Sequence, residues 1–121
     1  MAGFSKIYYK GKEIIYVDYQ EQSEDEMITT ATHLRDWLLS ERKPHLRLVN
    51  ITGAFAKPKF NQFIRRLGEE TKDIPMKGAI VGVTGGKKAL LIIYNKILGG
   101  SLKPFDSEEA AKEYLVTQSL N

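Results

Sequence analysis

Two β-branched runs in this chain stop at the same dipeptide: Val49-Asn50-Ile51-Thr52-Gly53-Ala54 and Val81-Gly82-Val83-Thr84-Gly85-Gly86. A helical pattern follows each, so each reads as strand, tight turn, helix. In an open α/β sheet, ligands bind beyond the carboxyl ends of the strands, where helix N-termini present amide hydrogens and the positive end of the dipole. Both Thr-Gly turns belong to that edge. Lys57 and Lys59 follow the first and Lys87 and Lys88 the second, and a lysine in a first helical turn opposes the macrodipole by about 0.3–1 kcal/mol. Two readings stand: an anion site built from Thr52, Gly53, Lys57, Thr84, Gly85, Gly86, Lys87 and Lys88, or solvated lysines ahead of helices that begin a residue or two later. The Thr52 and Thr84 hydroxyls suit hydrogen bonds within their own turns.

No other arrangement supplies chemistry. A phosphate-binding P-loop needs glycine five residues before its Gly-Lys pair and Ser or Thr after it, whereas Gly86-Lys87 is preceded by Val81 and followed by Lys88. Gly82, Gly85 and Gly86 lack the spacing of a dinucleotide fingerprint. Cysteine is absent, which removes disulfides, thiol nucleophiles and thiolate metal sites. His33, within the first helix, and His45, in the loop after it, have no partner at metal-ligand spacing, and surface or helix-packing roles suit them. No Ser-His-acid set with a nucleophile elbow is present. The expectation is no catalytic residues, no metal, no cofactor and no enzymatic activity.

The elements that must position the edge follow from periodicity. Residues 6–19 read as a hairpin around Lys10-Gly11-Lys12. Ser23-Glu24-Asp25-Glu26 is a capping box opening a helix with Met27, Ala31, Leu34 and Leu38 on one face, stopped before Pro44. Strand 46–51 precedes a helix begun by Pro58, with Phe60, Phe63, Ile64 and Leu67 inward and Arg65 and Arg66 outward. Ala79 to Val83 is a short apolar run typical of a buried parallel strand. Lys103-Pro104-Phe105 suits an edge strand, and Asp106-Ser107-Glu108-Glu109 opens a closing helix.

The helix expected over 87–98 is unusual because its apolar residues are consecutive and wrap its whole circumference. Leu90, Leu91, Ile93, Tyr94, Ile97 and Leu98 therefore serve either as core or as a surface for a partner, a second copy of the chain or an acyl ligand. A symmetric dimer would cover them.

With 121 residues, 42% hydrophobic and 27% charged, the chain fits one α/β domain spanning 1–121. The net charge of +3 lacks the clustering of a nucleic-acid binder. No run approaches the roughly 18 apolar residues of a membrane span, and the first residues do not read as a signal peptide. A cytoplasmic location is the expectation.

The order ββαβαβαβα, Val83-Thr84-Gly85, the apolar helix over 87–98 and the closing Pro104-Phe105-Asp106-Ser107-Glu108-Glu109-Ala110-Ala111 together resemble the SpoIIAA-like family of STAS-related domains. The resemblance spans nearly the whole chain and implies a mixed sheet of about five strands with helices packed around it. It further implies a regulatory or protein-interaction module with a protein partner, and the apolar helix over 87–98 adds the expectation of a homodimer that self-associates through it. A carrier of an anionic or amphiphilic, lipid-like molecule is the alternative it leaves open. Antagonists of anti-sigma factors in this family are switched by phosphorylation of a Ser at the start of the helix after the third strand. Ala56-Lys57-Pro58 stands there instead, with no Ser or Thr from Gly53 to Glu70, so that switch is not carried over.

Overall fold

The computed structural model describes residues 3–55, 57–84, 91, 95 and 102–117. The chain opens with an antiparallel hairpin of β1 (Gly3–Tyr9) and β2 (Lys12–Asp18). Its two-residue turn places Lys10 at φ 51° and Gly11 at φ 80°, the doubly positive pair whose twist matches right-handed strands. The first strand begins three residues earlier than the apolar pattern indicates, because Gly3 still pairs with Asp18.

Helix α1 (Glu24–Glu41) starts on the expected capping box: Ser23 Oγ accepts from Glu26 N at 3.2 Å and Glu26 Oε1 from Ser23 N at 2.8 Å. It ends at Arg42, whose left-handed φ of 45° lets its amide donate to the Leu38 carbonyl. Strand β3 (His45–Asn50), helix α2 (Pro58–Thr71), strand β4 (Met76–Val81), strand β5 (Leu102–Phe105) and helix α3 (Glu108–Thr117) complete the described elements. The helix expected over 87–98 lies outside the described residues except at Leu91 and Asn95, both helical. The sheet order is β1-β2-β3-β4-β5, parallel everywhere except in the opening hairpin. This is a single-domain α/β fold on a mixed five-stranded sheet.

Two of the strand bounds correct the sequence reading. His45 is not in a loop: it opens β3 opposite Met76, with its amide donating to the Pro75 carbonyl at 3.3 Å. The fourth strand starts at Met76 rather than Ala79, since His45, Leu46 and Arg47 need partners, and it stops at Val81 because Gly82 turns out of the ladder at φ +94°. Lys77 falls inside it, buried, with its ammonium donating at 2.8 Å to the Tyr114 carbonyl in α3.

Period-two alternation sends the interior strands' side chains to two cores. Ile15, Val17, Val49 and Ile80 meet Met27, Ala31, Leu34 and Leu38 of α1 and Phe60 and Leu67 of α2. Leu91 is buried in the same cluster, so at that position the core role is the one realised. Ile14, Leu48, Ala79 and Val81 meet Ala111 and Leu115 of α3 on the other face. Coverage of both faces is why β2 and β4 carry short continuous apolar runs, Ile14 to Val17 and Gly78 to Val81. Asn95 fastens the edge strand, its amide nitrogen donating to the Leu102 carbonyl at 3.1 Å and its oxygen accepting from Leu102 N at 3.3 Å.

Candidate functional site

Parallel pairing of β3 with β4 brings the first Thr-Gly turn and the exit of β4 to one rim. Ile51 N donates to the Val81 carbonyl at 2.9 Å, and Gly82 passes so close to Thr52 that a Cβ on it would stand 2.5 Å from the Thr52 nitrogen. The segment after β2 runs alongside: Tyr19 N donates to the Asn50 carbonyl at 2.8 Å and Glu21 N to that of Thr52 at 3.3 Å. Thr52, Gly53, Lys57 and Thr84 are all exposed here, with Gly53 at φ +71°. Gly85, Gly86, Lys87 and Lys88 lie outside the described residues, as do Leu90, Ile93, Tyr94, Ile97 and Leu98.

On the α2 side the rim is cationic and apolar. Phe55 is 68% exposed, Lys57 and Lys59 are exposed at the start of α2, and Arg65 and Arg66 are exposed two turns further along that helix. Lys57 occupies the N-cap position of α2 and gives no side-chain cap. The missing acceptor comes from α1, where Glu24 Oε2 takes the Phe60 amide at 3.1 Å. A carboxylate there suits the positive helix end, and it joins the two helix starts. The edge-to-face contact of Tyr19 with Phe60, centroids 5.2 Å apart, holds α2 to the sheet.

On the α3 side the rim is a polar network that the sequence reading missed. Glu108, in the first turn of α3, accepts from the Tyr16 hydroxyl and from Asn50 Nδ2, the latter at 2.7 Å, while Asn50 Oδ1 accepts from Thr52 N at 2.9 Å. Asp18 beside it is buried, its carboxylate accepting the Gln20 amide at 2.9 Å. Burial and then the hydrogen bond to Glu108 raise the Tyr16 phenol well above its ordinary pKa, so it stays a proton donor and cannot act as a base at neutral pH. The network braces the turn. An asparagine closing an apolar strand was the one signal available, because Asn is disfavoured in strands.

At the opposite end of β3, His45 packs edge-to-face on Trp37, centroids 5.5 Å apart. Its Nδ1 faces the Lys43 carbonyl at 3.2 Å and its Nε2 accepts from Arg47 Nε at 3.2 Å. Burial first, then the Arg47 charge, lowers its pKa to about 4. Between the ordinary 6.5 and that value the unfolded chain takes a proton that the folded chain refuses, so stability falls as pH drops through this window. Urea denaturation at pH 7.5 and pH 5 is expected to show His45→Gln losing about 2 kcal/mol less than wild type. Equal losses in both proteins would mean that the imidazole charges freely in the fold.

No protein-family profile matches the chain, and no curated protein matches it. Among solved structures, the chain is similar to an anti-sigma-factor antagonist (STAS) domain protein from Planctomyces limnophilus, with 16% sequence identity, a TM-score of 0.57 and coverage of 92% of this chain and 97% of that one. The fold is that of a STAS domain, as the sequence resemblance implied. No described helix is long and apolar enough to cross a membrane, and no cluster of three or more His, Asp or Glu among the described residues is placed to hold a metal.

Proposed function

We propose that the chain is a non-enzymatic regulatory or protein-interaction module of STAS type that engages a protein partner through the β3–α2 side of its rim. The observation that carries this reading is Phe55, 68% exposed on the loop that precedes α2. Lys57, Lys59, Arg65 and Arg66 are exposed on the adjoining helix. An aromatic anchor within a charged rim is the composition of an interface hot spot, and these cations suit a partner with an acidic border around an apolar pocket. The solved structure it resembles is described as an anti-sigma-factor antagonist domain, which supports a protein as the ligand. With Ala56-Lys57-Pro58 at the start of α2 and no Ser or Thr from Gly53 to Glu70, docking is not gated by phosphorylation there.

Affinity capture with wild type and Phe55→Asp, followed by calorimetry with the purified captured protein, tests this. Removing an aromatic hot spot costs about 2 kcal/mol or more, roughly thirtyfold in Kd. Equal affinity of both proteins for every captured partner would overturn the reading.

A further inference from the structure

The two edges of the sheet are treated differently. The edge strand β5 is four residues long and carries Pro104, the features by which natural sheets blunt an edge. The other edge, β1, is seven residues long without proline, and among the described residues no strand pairs with its outer side. Every second residue of such a strand presents an unpaired amide and carbonyl outward.

The side chains around this edge are aromatic and cationic. Tyr8 is 69% exposed, and Phe4 stacks at a tilt against Trp37, centroids 6.3 Å apart. Lys6 and Lys43 each place an ammonium 5.8 Å from the Trp37 ring. None of the ion pairs among the described residues includes Lys6, Lys12 or Lys43. Lys6 lies in register with Ile15 and, through it, with Arg47 on β3, whose guanidinium hydrogen-bonds the neutral His45 ring. Glu13, facing the Tyr8 hydroxyl at 3.4 Å, is the carboxylate at this end.

From this asymmetry we propose that β1 is a second docking edge, which takes an extended acidic segment of a partner protein as a sixth strand. Main-chain hydrogen bonds to the outer side of β1 supply affinity, a carboxylate of the segment meets Lys6, and the Lys43 ammonium on the same Trp37 ring adds attraction at longer range. A second copy of the chain is a poor occupant, because its own β1 brings a lysine and no carboxylate to meet Lys6.

Trp37 is the sole tryptophan and reports on this edge directly. A peptide of alternating Glu and Val, titrated into the protein, is expected to change Trp37 emission, to weaken as salt is raised, and to slow hydrogen exchange of alternate β1 amides. The double variant Lys6→Glu/Lys43→Glu, both positions exposed, is expected to bind it about tenfold more weakly or worse. Phe55→Asp binds it as wild type does, which separates this edge from the rim. A Lys-Val peptide binding equally well, unchanged exchange in β1, or concentration-dependent dimerisation through β1 would each overturn the proposal.

Discussion

Gly82→Ala is expected to destabilise the fold by about 3 kcal/mol or more, because it combines a positive φ with a backbone clash. Gly82 sits at φ +94°, a region that costs an L-residue about 1 kcal/mol before any contact is counted. The added carbon would also stand 2.5 Å from the Thr52 nitrogen, 2.7 Å from its hydroxyl oxygen and 2.8 Å from its Cα. Two of those atoms are backbone that cannot retreat. The Thr52 amide is held by Asn50 Oδ1, and the Ile51 amide before it by the Val81 carbonyl. Relief therefore requires β3 and β4 to part at the rim, which removes those bonds as well. Gly78→Ala is the control: its closest neighbours are Leu102 Cδ2 at 2.5 Å and the Met76 side chain, flexible ends that can swing aside. Urea denaturation of both variants checks the ranking, and a Gly82→Ala protein within about 1 kcal/mol of wild type would mean that the two turns are not pressed together.

The parts of this fold that sequence made legible are those fixed by local chemistry. The capping box at Ser23, the helix start at Pro58 and the β-branched runs of β2 and β3 each depend on residues close together in the chain. The shared rim was also legible, since two strand-turn-helix units in succession imply parallel neighbours. Elements that depend on distant partners were not. Charged Lys77 conceals a strand because its stabilising acceptor, the Tyr114 carbonyl, lies 37 residues onward. The brace between Asn50 and Glu108 spans 58 residues, and nothing in either neighbourhood points to the other. His45 looked like a loop residue beside Pro44, yet pairing with Met76 and packing on Trp37 bury it. The candidate anion site stays divided, with Thr52, Gly53, Lys57 and Thr84 on the rim and its other four residues outside the described ones.

Leu115→Ala is expected to cost about 2–5 kcal/mol, and its position argues for the upper half of that range. Leu115 is fully buried between α3 and a sheet face lined by Ile14, Leu48, Ala79 and Val81. Ala79 and Ala111 are too small to fill the space, and strands covered on both faces cannot collapse into it. The side chain is also the larger of the two buried apolar residues of α3, a helix that makes several polar contacts besides. Glu108 bonds Tyr16 and Asn50, Glu109 and Glu113 accept from the Tyr9 hydroxyl, and the Tyr114 carbonyl caps Lys77. If α3 loosens, Asn50 loses the carboxylate that orients it and Lys77 is left buried without its carbonyl, so the penalty spreads from core to rim. A double-mutant cycle with Asn50→Ala is then expected to show coupling of about 0.5–3 kcal/mol, although the two residues sit in separate layers of the structure. Hydrogen exchange distinguishes the outcomes. Amides of β3 and α3 exchanging together would show that the helix is integral to the cooperative unit, whereas α3 opening alone, with β3 still protected, would make it a separable cover and remove the basis for the coupling.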